Sequence, residues 1–197
     1  MEKKKLSVTA IVIVVLAVIV VWGIGTYNSL VKKEEGVKTA WSQVENVYQR
    51  RADLIPNLVA TVKGYATHES ETLEGVIEAR AKATQVSVNA EDLSKEKIAE
   101  FQKAQGELGS ALGRLMAIGE AYPDLKANEN FRDLQAQLEG SENRIAVERK
   151  AYNQVAREYN TAIRTFPRNI IASMFGFSAK GYFEAQEGAQ TAPKVEF

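Results

Sequence analysis

Two patterns of apolar residues divide the chain. Between Lys5 and Lys32 no charged residue occurs, and Leu6–Tyr27 is apolar or small at nearly every position. As a helix this stretch would extend about 33 Å, enough to cross a hydrocarbon core of about 30 Å. It predicts a transmembrane helix over residues 6–27. Beyond it, apolar residues keep to one face: Leu30, Val37, Trp41, Val44, Tyr48, Ala52, Ile55, Val59 and Val62 follow one another in steps of three, four and seven, with Lys38, Glu45, Arg50 and Lys63 largely off the stripe. No turn signal separates Tyr27 from Leu30, so the span is expected to continue as helix. Pro56 withdraws an amide from the ladder and crowds the carbonyl of Ala52, which predicts a kink near Asp53.

Three further helices follow. Thr67 and Ser70 are candidate caps before acidic Glu69, Glu71 and Glu74 and apolar Leu73, Val76, Ile77 and Ala81, which predicts a fresh start near Thr67. Val86–Ser94 reads as a connection, with Asn89, Asp92 and Ser94 as turn and cap types. The next helix carries Phe101, Gln105, Leu108, Leu112, Leu115, Gly119 and Tyr122 in a four-three alternation and ends at Pro123, which disfavours helical geometry in the residue before it. Its glycines, each costing up to ~1 kcal/mol relative to alanine, imply close backbone approach or a bend. The last helix, Phe131 to Phe166, should reach roughly 57 Å. After it Ile170, Ile171, Met174, Phe175 and Phe177 form an apolar patch, and Glu184–Phe197 has the composition of a disordered tail. The fold class expected is therefore all-α: a transmembrane helix followed by a long antiparallel up-down four-helix bundle. Residues 1–5 form the N-terminus, 6–27 the span, 28–183 the bundle and 184–197 the tail.

Charge orients the span. Lys3, Lys4 and Lys5 precede it, whereas Lys32 and Lys33 follow it beside Glu34 and Glu35, so the positive-inside rule favours a cytoplasmic N-terminus with the bundle on the trans (periplasmic) side of the inner membrane. A cleaved secretory signal ending near Gly23-Ile24-Gly25 is the competing reading, but its apolar region would be longer than such signals use. The 25 basic and 25 acidic residues cancel, and no basic stripe interleaved with aromatics appears, so nucleic acid is not an expected partner. Without cysteine, disulfides, thiolate metal sites and cysteine nucleophiles are excluded. The single histidine, His68, has no Glu-x-x-His or His-x-x-x-His companion, so neither a metal site nor a cofactor is expected.

Several motifs in order carry a resemblance: Arg50-Arg51-Ala52-Asp53-Leu54-Ile55-Pro56-Asn57-Leu58-Val59, then Tyr122-Pro123-Asp124-Leu125, Glu142-Asn143-Arg144-Ile145, and Tyr152-Asn153 through Tyr159-Asn160 to Phe166-Pro167. The chain resembles the LemA family from Tyr27-Asn28 to about Phe183, with the tail outside the resemblance. That resemblance implies a bacterial membrane protein with one N-terminal span and a long antiparallel helical bundle, and it implies no enzyme activity.

Of the polar residues, Arg50, Arg51, Asp53 and Asn57 lie about a turn apart on the first bundle helix, and Glu142, Arg144, Arg149 and Asn153 recur on the last. Long bundles use such groups to fix register, so they are expected to form a structural polar network, with Asp53 pairing to Arg144 or Arg149. Tyr152 and Tyr159 are expected in the core with their hydroxyls satisfied at its edge. The patch Ile170, Ile171, Met174, Phe175 and Phe177 is expected to meet membrane or another subunit. The function expected is that of a non-catalytic, membrane-anchored scaffold or self-assembling envelope component, with the bilayer, further copies of itself and other envelope proteins as partners. The alternative is a bundle that senses a ligand or peptide and signals across the span.

Overall fold

The structure, a computed structural model, describes residues 2–184, with side chains from Val8 onward. The expected tail lies outside the described residues, apart from Glu184. The described residues form six helices: α1 (Glu2–Lys63), α2 (Ser70–Gln85), α3 (Lys95–Ala121), α4 (Pro123–Ala127), α5 (Glu129–Arg164) and α6 (Arg168–Met174). Among the described residues there is no strand.

The 62 residues of α1 make one continuous helix, about 93 Å long measured along its axis. Its N-terminal part contains a window of mean hydropathy 2.9 with no residue buried. Large apolar side chains such as Val8, Ile13, Leu16 and Ile19 face outward there, as a membrane span requires and a soluble core forbids. From Leu30 onward the same helix buries one face against α5. The two run antiparallel, since Trp41 meets Tyr152 while Arg51, further along, meets Glu142.

Helix α1 passes through Pro56 without ending. The proline leaves the carbonyl of Ala52 without its usual amide partner, and Arg80 on α2 supplies one, its Nε donating to Ala52 O at 2.9 Å. The defect in α1 thus becomes a tie to α2. That helix starts at Ser70, later than the expected Thr67, because a tight turn over Gly64–Glu69 is needed to reverse the chain, with Ala66 N bonded back to Val62 O. On α1, Leu58 rather than Val59 is fully buried.

Helices α2 and α3 form the second antiparallel pair and complete a four-helix bundle at the end far from the apolar stretch. Gly119 on α3 is required there: a Cβ would stand 2.5 Å from the buried ring of Phe131. Pro123 starts α4, and Asn128 caps α5 by accepting from the amide of Phe131 at 3.0 Å. Since α2 has only 16 residues, it does not reach the end near the apolar stretch. Its place is taken by the 86–94 segment, which buries Val88 and Leu93, and by an extended strap after α6 that buries Phe183. The connection expected over Val86–Ser94 is thus part of the core.

Candidate functional site

The core consists of two apolar clusters. One holds Trp41, Tyr48, Phe101, Ile145 and Tyr152, and the other Ile55, Leu108, Leu112, Leu134 and Leu138. Between them lies a polar layer centred on Arg51, which is 3% exposed. Its Nη1 donates to Glu142 Oε1 at 2.5 Å, and its Nη2 to both the side-chain and backbone oxygens of Gln105, at 2.7 and 3.2 Å. Gln105 Nε2 in turn donates to Ala83 O at 3.2 Å. The guanidinium also lies 5.1 Å from the centre of the Tyr48 ring, a favourable cation–π distance. Arg51 Nε finds no acceptor among the described residues. One charge therefore ties α1 to α3 and α5, with α2 attached through Gln105. Such a layer fixes the axial register of four helices, because sliding one of them by a turn would strand a buried guanidinium.

The second site is the strap. Asn160 Oδ1 accepts from Lys180 N and its Nδ2 donates to Lys180 O, both at 2.8 Å. Asn153 does the same to Phe183, at 2.9 and 2.8 Å, and Gln102 on α3 does so to Glu184, at 3.0 and 2.9 Å. Each carboxamide satisfies the N–H and C=O of one extended residue, as a neighbouring strand would. The dimensions fit: seven residues of helix rise about 10.5 Å, and three residues of extended chain span about 10 Å. Gly181, between the clamps, sits against the backbone of Ser94 and Lys95, where a Cβ would come within 2.8 Å, and its amide donates to Leu93 O.

The strap delivers two side chains. Phe183 enters an aromatic cage, nearly parallel to Trp41 at 6.0 Å and edge-on to Tyr152 at 5.5 Å, with the Arg149 guanidinium 4.9 Å from its ring centre. Lys180, 5% exposed, reaches Glu34 Oε1 at 2.7 Å. Burial pushes the hydroxyls of Tyr152 and Tyr159 above the usual tyrosine range, and at Tyr159 the nearby Glu34 carboxylate adds to it. Tyr152 donates to Gly181 O at 3.1 Å, and Tyr159 points its hydroxyl toward Glu34 at 3.5 Å. Glu45 is partly desolvated, which raises its pKa. The Trp41 indole N–H opposes that shift without completing a hydrogen bond of normal geometry.

Of the expected network, the structure brings Glu142 to Arg51, and Arg149 and Asn153 to the strap. It does not pair Asp53 with Arg144 or Arg149: Asp53 faces outward and accepts from Gln49 of its own helix at 2.7 Å. Arg50, Asn57 and Arg144 are exposed. The buried charge is Arg51, one position away from Arg50, because the inward face of α1 follows 48, 51, 55 and 58. Of the C-terminal patch, Ile171 and Phe177 are half-buried, while Ile170, Met174 and Phe175 are exposed. His68 is exposed in the turn after α1.

The sequence pattern of the LemA family matches residues 40–197, which include Arg51, Gln105, Glu142 and the three carboxamides of the clamp. The match extends through 184–197, beyond the Phe183 limit of the motif resemblance. Magnetosome protein MamQ 1 of Paramagnetospirillum magneticum is 31% identical over 183 residues, covering 84% of this chain and 67% of that protein. MamQ of Magnetospirillum gryphiswaldense gives the same identity and coverage. Protein LemA of Metamycoplasma hominis is 26% identical over 164 residues, covering 83% of this chain and 71% of its own length. With four-fifths of its length inside the family pattern, the chain belongs to the LemA family.

Proposed function

We propose that the protein is a membrane-anchored strut, a non-catalytic scaffold that holds a rigid helical bundle at the cell membrane and assembles with further copies of itself or with other envelope proteins. The observation that carries this reading is the continuity of α1: the apolar stretch and the first bundle helix are one uninterrupted rod from Glu2 to Lys63. The part beyond Tyr27 holds the far end of the bundle about 54 Å from the apolar stretch, braced by the Arg51 layer and the strap. Three of the relatives are named for a subcellular structure, the magnetosome, rather than for a reaction, which supports a structural role. From Lys3–Lys5 the bundle is placed on the trans side of the inner membrane.

The test uses the full chain in native membrane. Chemical crosslinking followed by sizing in mild detergent should yield an assembly larger than one chain in the absence of any added ligand. Inserting Gly-Gly-Gly between Lys32 and Lys33 should leave membrane retention and helical content intact while reducing that assembly. A monomer of unchanged mass, or a mass change only with added ligand, would replace the scaffold with the sensing alternative. Because the chain lacks cysteine, single cysteines at Glu35 and Glu139 report orientation. Labelling of both by an impermeant maleimide with the inner membrane intact is expected, and labelling only after its lysis would reverse the topology.

A further inference from the structure

The end of the bundle nearest the apolar stretch carries exposed apolar side chains that no part of the described fold covers. Phe166, Ile170 and Met174, four residues apart, are 76%, 49% and 72% exposed. Their position relative to α1 follows from two contacts. Ile171 Cδ1 lies 3.8 Å from where a Cβ on Gly23 would stand, and the ring of Phe175 is 4.8 Å from that of Tyr27. Both partners advance by four residues, so α6 climbs alongside α1 in the same direction. Helix α5 descends antiparallel to α1, and the chain reverses at Phe166–Pro167. The α1–α5 pairings of Trp41 with Tyr152 and Arg51 with Glu142, carried on in the same register, set Phe166 opposite Tyr27, so the reversal sits at the end of the 6–27 stretch, with Ile171 reaching Gly23. Three cations frame this end: Lys32 on α1, and Arg164 and Arg168 on either side of the reversal. All three are exposed and form no ion pair among the described residues.

We propose that the α5–α6 reversal is a second membrane contact, with Phe166 and Ile170 entering the boundary between headgroups and acyl chains of the bilayer that holds α1, and Arg164, Arg168 and Lys32 reaching anionic headgroups. This rests on residues 6–27 spanning that bilayer. If Leu6–Tyr27 fills the hydrocarbon core, a group level with Tyr27 stands at its border with the headgroups, where an exposed phenylalanine is favoured and arginine stems extend their guanidinium groups to the phosphates. The span alone would leave the rod free to tilt about one point. A second contact beside it restricts that tilt.

The test places an environment-sensitive fluorophore on single cysteines in the full chain, reconstituted in phosphatidylcholine vesicles with and without phosphatidylglycerol and with nitroxide-bearing lipid as quencher. The positions are Phe166→Cys, Ile170→Cys, Leu16→Cys within the span and Glu139→Cys at the far end of the bundle. All four side chains are exposed, so the variants are expected to fold, and helical content by circular dichroism checks that they do. Quenching at residues 166 and 170 is expected to be severalfold above that at 139 and to rise with phosphatidylglycerol. Arg164→Gln with Arg168→Gln should remove that rise. If residue 16 is quenched while 166 and 170 behave like 139, the second contact is refuted and the span stands. If 166 and 170 escape lipid quenching but change emission on dilution with unlabelled protein, a second copy covers the face and the proposal is overturned. If residue 16 is not quenched, the anchoring reading fails, and the proposal with it.

Discussion

Truncating Glu142 to alanine should cost more stability than replacing the arginine it serves. Glu142 is 53% exposed, whereas Arg51 is 3% exposed, so the two substitutions leave different groups behind. Glu142→Ala leaves a buried cation with only the two Gln105 oxygens. Breaking a buried pair in this way costs roughly 3–5 kcal/mol, and the open side of Glu142, through which water can reach Nη1, sets the expectation at about 3 kcal/mol. Arg51→Met removes the charge but keeps most of the stem between Tyr48 and Ile55. Glu142 then turns to solvent, and the main loss is the partner of Gln105 Oε1, about 1 kcal/mol. The double variant should be no worse than Arg51→Met alone, a strong departure from additivity. Urea unfolding of the full chain in mild detergent measures this, followed by the fluorescence of Trp41 in a Trp22→Phe background with the midpoints compared at a common slope. If Arg51→Met is the more damaging change, or if the two losses simply add, the stranded charge is not the source of the effect.

Gly181→Ala should lift the strap, because its Cβ would meet the backbone of Lys95 at 2.8 Å; a loss of roughly 1–3 kcal/mol and a red shift of Trp41 emission as Phe183 leaves its cage are expected. Gly119→Ala should destabilise by a similar ~1–3 kcal/mol against the Phe131 ring, while Gly113→Ala, with nothing within 4 Å, should stabilise by up to ~1 kcal/mol; paired thermal melts show the difference in sign. For Glu45 the folded-state pKa lies above its unfolded value, so the folded state holds the proton longer and stability falls as pH rises from the ordinary carboxylate range through the raised value. Glu45→Gln should therefore have the higher unfolding midpoint at neutral pH, and the gap should close as pH drops below the ordinary glutamate range; a gap that stays constant with pH would dissociate it from this ionisation.

The helices were legible because apolar periodicity and turn residues agree along most of the chain: the stripe on α1, the seam on α3 and the long pattern on α5 bury most of the positions they predict, with Val59 only half-buried and Phe166 exposed beyond the end of α5. Arg51 was hard to single out from its polar neighbours because an apolar stripe can be drawn through Ala52 instead. A stricter reading of the α1 spacing, 30, 34, 37, 41, 44, 48, 51, 55, 58 and 62, places two charged residues on the seam, Glu34 and Arg51. Both have partners distant in sequence, Lys180 and Glu142. The Tyr-Asn pairs were visible as a heptad, but their purpose was not, since the strap they hold is an irregular segment without periodicity of its own. Asp53 misled because a carboxylate beside an apolar stripe reads the same whether it points inward or out. The bond from Arg80 to Ala52 O could have been anticipated, as Pro56 leaves that carbonyl in need of a donor.

The carboxamide clamp also limits how the chain can change in length. Between Lys180 and Phe183 the strap is held at both ends against a helix whose two asparagines are a fixed distance apart. A single residue added there would shift one end by about 3.4 Å and turn the side chains beyond it to the opposite face, so Phe183 would point away from Trp41. Between Gly176 and Ala179 no such commensurability applies, and length there can vary without displacing either clamp. Insertions and deletions in the C-terminal region should therefore be accepted before Lys180 and refused from Lys180 to Phe183, a boundary set by the rise of a helix measured against the rise of an extended chain.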